Sequence, residues 1–66
     1  MNMFINGVKK EYPKGISLAE VLRQEGYQND RIAVERNEEI VPKEEYDKVL
    51  LEPSDHLEVV RFVGGG

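Results

Sequence analysis

Apolar positions along this chain change spacing from strand-like to helical and back. Met3, Phe4 and Ile5 form a first apolar cluster, and Asn6-Gly7 follows at once. That dipeptide tolerates positive φ and suits a type I′ turn, so residues 1–12 are predicted to fold as a hairpin with Val8 to Tyr12 as the return strand. Pro13 and Gly15 end the return strand. Leu18, Val21 and Leu22 then follow i, i+3, i+4 spacing, which predicts a short amphipathic helix. Ser17 stands where an N-cap belongs, with Glu20 three residues on as in a capping box. Ile16 and Val21 are spaced for a hydrophobic staple, and Gly26 with Tyr27 for a Schellman ending that returns onto Leu22. Ile32 and Val34 alternate as in a strand, Asn37 to Glu39 read as a turn, and Ile40-Val41 as a short strand cut off by Pro42. A helical turn is expected around Lys43 to Tyr46, a brief strand at Val49 to Leu51, and a turn at Glu52-Pro53-Ser54-Asp55. "HLEVVRFV" is the last strand.

The order is hairpin, helix, strand, short strand, strand. One helix and a mixed sheet of four or five strands can bury a single two-layer α+β core. If the first and last strands pair centrally they run parallel, and the helix supplies the crossover this requires. That arrangement is the β-grasp. It assigns residues 1–63 to one domain and leaves 64–66 as a flexible glycine tail.

Composition narrows the function. A chain of 66 residues buries about 60% of the surface it exposes unfolded, which leaves little room for an enclosed active site. There is no Cys and one His, so disulfide and zinc staples are excluded and the core rests on apolar packing. A net charge of −4 argues against nucleic acid as the main partner. The charge is uneven: residues 1–34 carry 5 basic and 4 acidic side chains, residues 35–58 carry 3 basic and 9 acidic, and Arg61 follows. Segment 35–58 reads either as a solvated surface or as an acidic face that steers toward a basic partner. Glu35, Glu38, Glu39, Glu44 and Glu45 match no calcium-loop spacing, and His56 reads as a partly exposed strand residue. The opening "MNMFING" has no basic region followed by a long apolar run, and no segment is long and apolar enough to span a membrane. A cytoplasmic monomer is expected.

The last residues carry the chemistry. Gly64, Gly65 and Gly66 add nothing to a core and have the most backbone entropy to lose. Such a tail is thin and threadable. From Val63 to Gly66 it reaches about 13 Å when extended, at roughly 3.3 Å per residue. In the strand before it, Leu57 and Val59 share one face, and Val60 and Phe62 the other. Phe4 has the opposite parity to Met3 and Ile5 and is expected beside Val60 and Phe62. A helix covers only one face, so these three suggest a docking surface, with Arg61 and Val63 at the base of the tail.

Four stretches, "MFING", "SLAEVLRQ", "AVERNEEIVP" and "DHLEVVRFVGGG", together resemble the ThiS family of ubiquitin-like β-grasp sulfur carriers in thiamine thiazole biosynthesis. The resemblance covers essentially the whole chain, and the last two stretches are the more specific. The family ends in a Gly-Gly pair; here Gly64 precedes it, at a place where Ala or another small residue also stands. The pair is therefore Gly65 and Gly66. The resemblance implies a cosubstrate, not an enzyme, with no bound cofactor. A ThiF-type adenylyltransferase would use ATP to convert the Gly66 carboxylate to an acyl-adenylate. Sulfur drawn through a cysteine desulfurase would displace AMP and leave a thiocarboxylate. A ThiG-type thiazole synthase would then take the sulfur. The residues agree with these demands: a carboxylate needs activation by another protein, this chain has no P-loop, and the lack of Cys removes a competing internal thiol.

Three other readings share parts of this pattern. The molybdopterin-synthase small subunit has the same fold and Gly-Gly end but usually a longer chain. A ubiquitin-like modifier would form isopeptide bonds with lysines. A β-grasp binding module would not need its last two residues.

Overall fold

A computed structural model describes residues 1–27 and 31–62 of the chain. Strand β1 (Asn2–Ile5) turns at Asn6-Gly7 into β2 (Val8–Glu11). Asn6 and Gly7 have φ of 50° and 82°, as a type I′ turn needs, and Ile5 pairs with Val8.

Helix α1 (Leu18–Gln24) buries Leu18, Val21 and Leu22. All four N–H groups of its first turn have acceptors. Leu18 N donates to Val49 O, Ala19 N to Tyr46 O, Glu20 N to Ser17 Oγ and Val21 N to Ser17 O. The capping box is only half made. Ser17 caps Glu20, but the Glu20 carboxylate turns outward to Arg23 and Gln24, where a guanidinium one turn on offers a stronger donor than a backbone amide. The other end is the Schellman motif the sequence predicts: Tyr27 N donates to Leu22 O, Gly26 N donates to Arg23 O, and Gly26 has φ 85°.

Strand β3 (Ile32–Arg36) returns through Asn37-Glu38 to the two-residue β4 (Glu39–Ile40), and a 3-10 turn spans Lys43–Glu45. The strand expected at Val49 to Leu51 is reduced to a single antiparallel bridge between Leu50 and Ser17. This segment spends its polar groups on the entry to the helix instead: Gly15 N donates to Leu51 O, and Leu51 N to Ile16 O. Strand β5 (His56–Arg61) completes a five-stranded sheet of order β2-β1-β5-β3-β4, with β1 and β5 parallel at its centre. This is the β-grasp arrangement.

The helix covers one face of the sheet. Met3, Ile5, Ile32, Val34, Leu57 and Val59 meet Leu18, Val21 and Leu22 there, and Tyr46 and Leu51 close the margin. Truncating one of the fully buried leucines costs about 2–5 kcal/mol. That rivals the whole stability of a domain this small, about 3–10 kcal/mol.

Candidate functional site

The site is the open face of the sheet together with the end of β5. Alternation along β5 buries Leu57 and Val59 and leaves Val60 and Phe62 more than half exposed, at 55% and 59%. Val60 pairs with Ala33 and borders a concavity with Ala33, Ile40 and Glu58. Phe62 lies just past β5, and its N–H donates to Arg31 O at 2.9 Å. It borders a second concavity with Gly26, Arg31, Ile32 and Arg61. An exposed valine and phenylalanine two residues apart, beside exposed Ile40, form an apolar surface just before the glycines.

Phe4 is on the same face but elsewhere. The register pairs it with His56, and their rings stack at 4.5 Å. His56 is six residues before Phe62, which separates the two aromatic positions by about 20 Å of strand. Parity was legible in the sequence; the parallel register that sets this distance was not. Arg61 has the parity of the helix side. Its guanidinium lies 4.6 Å from the centre of the Tyr27 ring, over the Schellman ending of the helix. Val63, Gly64, Gly65 and Gly66 lie outside the described residues.

Acidic side chains flank the apolar surface. Glu58 stands directly opposite Glu35, and these two share a concavity with Asn37, Glu38 and His56. Like charges opposite one another cost stability. Among the described residues neither Glu35, Glu38 nor Glu58 is ion-paired. Also among the described residues, no group of three or more His, Asp and Glu is placed to hold a metal ion, and no helix is long and apolar enough to cross a membrane.

The rest of the acidic segment is not one surface. Asp55 is buried and anchors the start of β5. Its carboxylate accepts from Glu52 N at 2.8 Å, Asn37 Nδ2 at 3.0 Å and Arg36 Nε at 2.9 Å. Asn37 Oδ1 in turn accepts from His56 N at 2.9 Å. Burial works to raise the Asp55 carboxyl, but the Glu52 N–H, the Asn37 amide and the Arg36 guanidinium outweigh it and hold it below its ordinary range. By sequence alone Asn37 and Asp55 are turn residues, and Arg36 carries no assigned role. The pairing of "RN" with a "D" some twenty residues later was the available signal. Sequence reasoning also missed a second role for Asn6 beyond its turn, because its side-chain partner lies 53 residues away.

The ThiS family model matches residues 3–66. The sulfur carrier protein ThiS of Bacillus subtilis is 38% identical over 63 residues, covering 94% of this chain and 96% of that protein. A thiazole synthase of Paramagnetospirillum magneticum is 39% identical over all 66 residues, but this chain spans only 20% of its length. A crystal structure of a thiamine biosynthesis protein, ThiS, from Geobacter metallireducens superposes with a TM-score of 0.83 at 28% identity, with all of both chains covered. A family match over nearly the entire length, a full-length relative and a shared β-grasp fold agree, and the chain belongs to the ThiS family.

Proposed function

We propose that this chain is the protein-bound sulfur carrier of thiazole formation in thiamine biosynthesis, and that Gly66 is its reacting residue. The observation that carries the reading is the family match across residues 3–66, which takes in all three closing glycines. A ThiF-type adenylyltransferase spends ATP to place AMP on the Gly66 carboxylate. A sulfur nucleophile, supplied ultimately by a cysteine desulfurase, displaces AMP. The resulting thiocarboxylate passes its sulfur to thiazole synthase. Two thiazole synthases contain a stretch similar to this entire chain, which supports that enzyme as a partner. The chain itself acts as cosubstrate.

The described surface supports a division of labour. Glycines carry little identity, so recognition falls to the folded surface beside them. Val60 and Phe62 supply the apolar anchors, with Arg61 adjoining and Phe4 at the far end of the face. The exposed Glu35, Glu38 and Glu58 guide approach to a basic rim on the partner.

Intact-mass analysis tests the reading directly. After incubation with ATP, magnesium, a ThiF-type adenylyltransferase and sulfide, the protein should gain mass equal to one oxygen-to-sulfur exchange, located at Gly66. A variant lacking Gly65-Gly66 should gain none. Charging of that variant, or lysine-linked conjugates in place of a thiocarboxylate, overturns the proposal.

A further inference from the structure

The two sides of β5 are held differently. Asn37 N donates to His56 O at 2.8 Å, and Phe62 N to Arg31 O at 2.9 Å, so the even-numbered residues direct their backbone groups toward β3. Odd-numbered residues face β1: Phe4 N donates to Asp55 O, and Asn6 N to Leu57 O, both at 2.9 Å. Here β1 ends, and the hairpin turn carries the chain away to β2. A continuing parallel strand would next offer an acceptor to Val59 N–H and a donor to Val59 C=O. The Asn6 side chain provides both. Its Oδ1 accepts from Val59 N at 2.8 Å, and its Nδ2 donates to Val59 O at 3.2 Å.

One amide thus replaces the missing end of a strand. Arg61 is the next residue to face that way, but the paired residues of β1 and β5 end at Ile5 and Leu57. The Asn6 amide thus holds β5 on this side past the end of β1, while β3 pairs along the other edge as far as Arg61. The turn by itself needs only a residue that accepts φ near 50°, and Gly or Asp meets that requirement. The paired contacts to Val59 ask specifically for a group with one acceptor and one donor, which is a carboxamide.

We propose that Asn6 is a positioning residue: its amide fixes the direction in which β5 presents Phe62 and the following residues to the partner enzymes. The proposal rests on the reading of Gly66 as the reacting end. With the amide gone, the end of β5 is held on the β3 side alone and is less ordered until a partner binds, and binding bears that entropy. The penalty therefore falls on KM rather than on kcat.

Two substitutions separate the amide from the turn. Asn6→Gly keeps the positive φ and removes both contacts. Asn6→Asp keeps the positive φ and the acceptor for Val59 N–H but loses the donor. In Asn6→Gly, hydrogen exchange at Val59 N–H should speed up relative to Leu22 N–H, and amide relaxation should report greater motion from Val60 to Phe62. KM for adenylation should rise about tenfold, equivalent to about 1.4 kcal/mol, with kcat nearly unchanged. Asn6→Asp should recover most of the Val59 protection. Equal loss of protection at Val59 and Leu22 overturns the proposal, because Asn6 would then serve the stability of the whole domain. Unchanged exchange with unchanged KM overturns it too. If the wild-type chain is never adenylated, the reading of Gly66 fails, while exchange and relaxation still decide whether Asn6 orders the end of β5.

Discussion

Asp55→Ala removes the polar hub that joins the start of β5 to the β3–β4 turn. Its side chain is 7% exposed and accepts from Glu52 N–H, the Asn37 amide and the Arg36 guanidinium. Hydrogen bonds to a charged group contribute about 1.5–3 kcal/mol each. Simple addition would overshoot, because the donors do not stay stranded. Glu52 N–H can take water, and Arg36 already reaches Glu52 at 3.6 Å. The net loss should be about 2–3 kcal/mol, against a total of about 3–10 kcal/mol. Urea melts followed by circular dichroism at neutral pH measure it directly; the thermal midpoint should fall by about 10–20 °C. Asp55→Asn, which keeps the shape and loses the charge, should cost less. The pH dependence has a definite sign. The folded-state pKa of Asp55 lies below its unfolded value, so its contribution is complete above the ordinary aspartate range near about 3.9 and is lost as pH falls through the folded value. The gap between wild type and Asp55→Asn should therefore narrow under acid. A loss below about 0.5 kcal/mol at neutral pH, or a gap that widens under acid, would refute the reasoning.

Three further outcomes are expected. Ser17→Ala should lower stability by about 1 kcal/mol in a denaturant melt through loss of the cap on Glu20 N–H, and leave sulfur loading intact below the melting transition. Glu38→Gly should raise stability by about 0.5–1 kcal/mol, since Glu38 has φ 73° in its turn, a conformation that strains any residue with a Cβ; an unchanged urea midpoint would count against this. Phe62→Ala should leave the melt nearly unchanged, because the residue is 59% exposed, yet weaken binding to the adenylyltransferase or thiazole synthase about tenfold or more by calorimetry. Normal binding by the folded variant would make the apolar surface incidental.

Local sequence determined the elements of this protein. The Asn6-Gly7 turn, the Ser17 cap, the Gly26 ending and the strand alternations all formed, because each depends on residues within a few positions of one another. The β-grasp order was also legible, since one crossover helix between first and last strands leaves few ways to cover a single sheet face. The four family-like stretches pointed to the ThiS family before any geometry was known. Tertiary structure decided what depends on register. Only the pairing of Phe4 with His56 places Phe4 far from Phe62, and only the pairing of β3 with β5 sets Glu35 against Glu58. The strand expected at Val49 to Leu51 gave way because its backbone groups pair with the entry to the helix, where Leu18 N–H needs Val49 O and Gly15 N–H needs Leu51 O. Asp55 became a buried hub, and Asn6 a substitute for a strand, through partners 19 and 53 residues away. Hydrogen bonds that close so much intervening chain leave no periodic trace in the sequence, so only the fold brings their partners together.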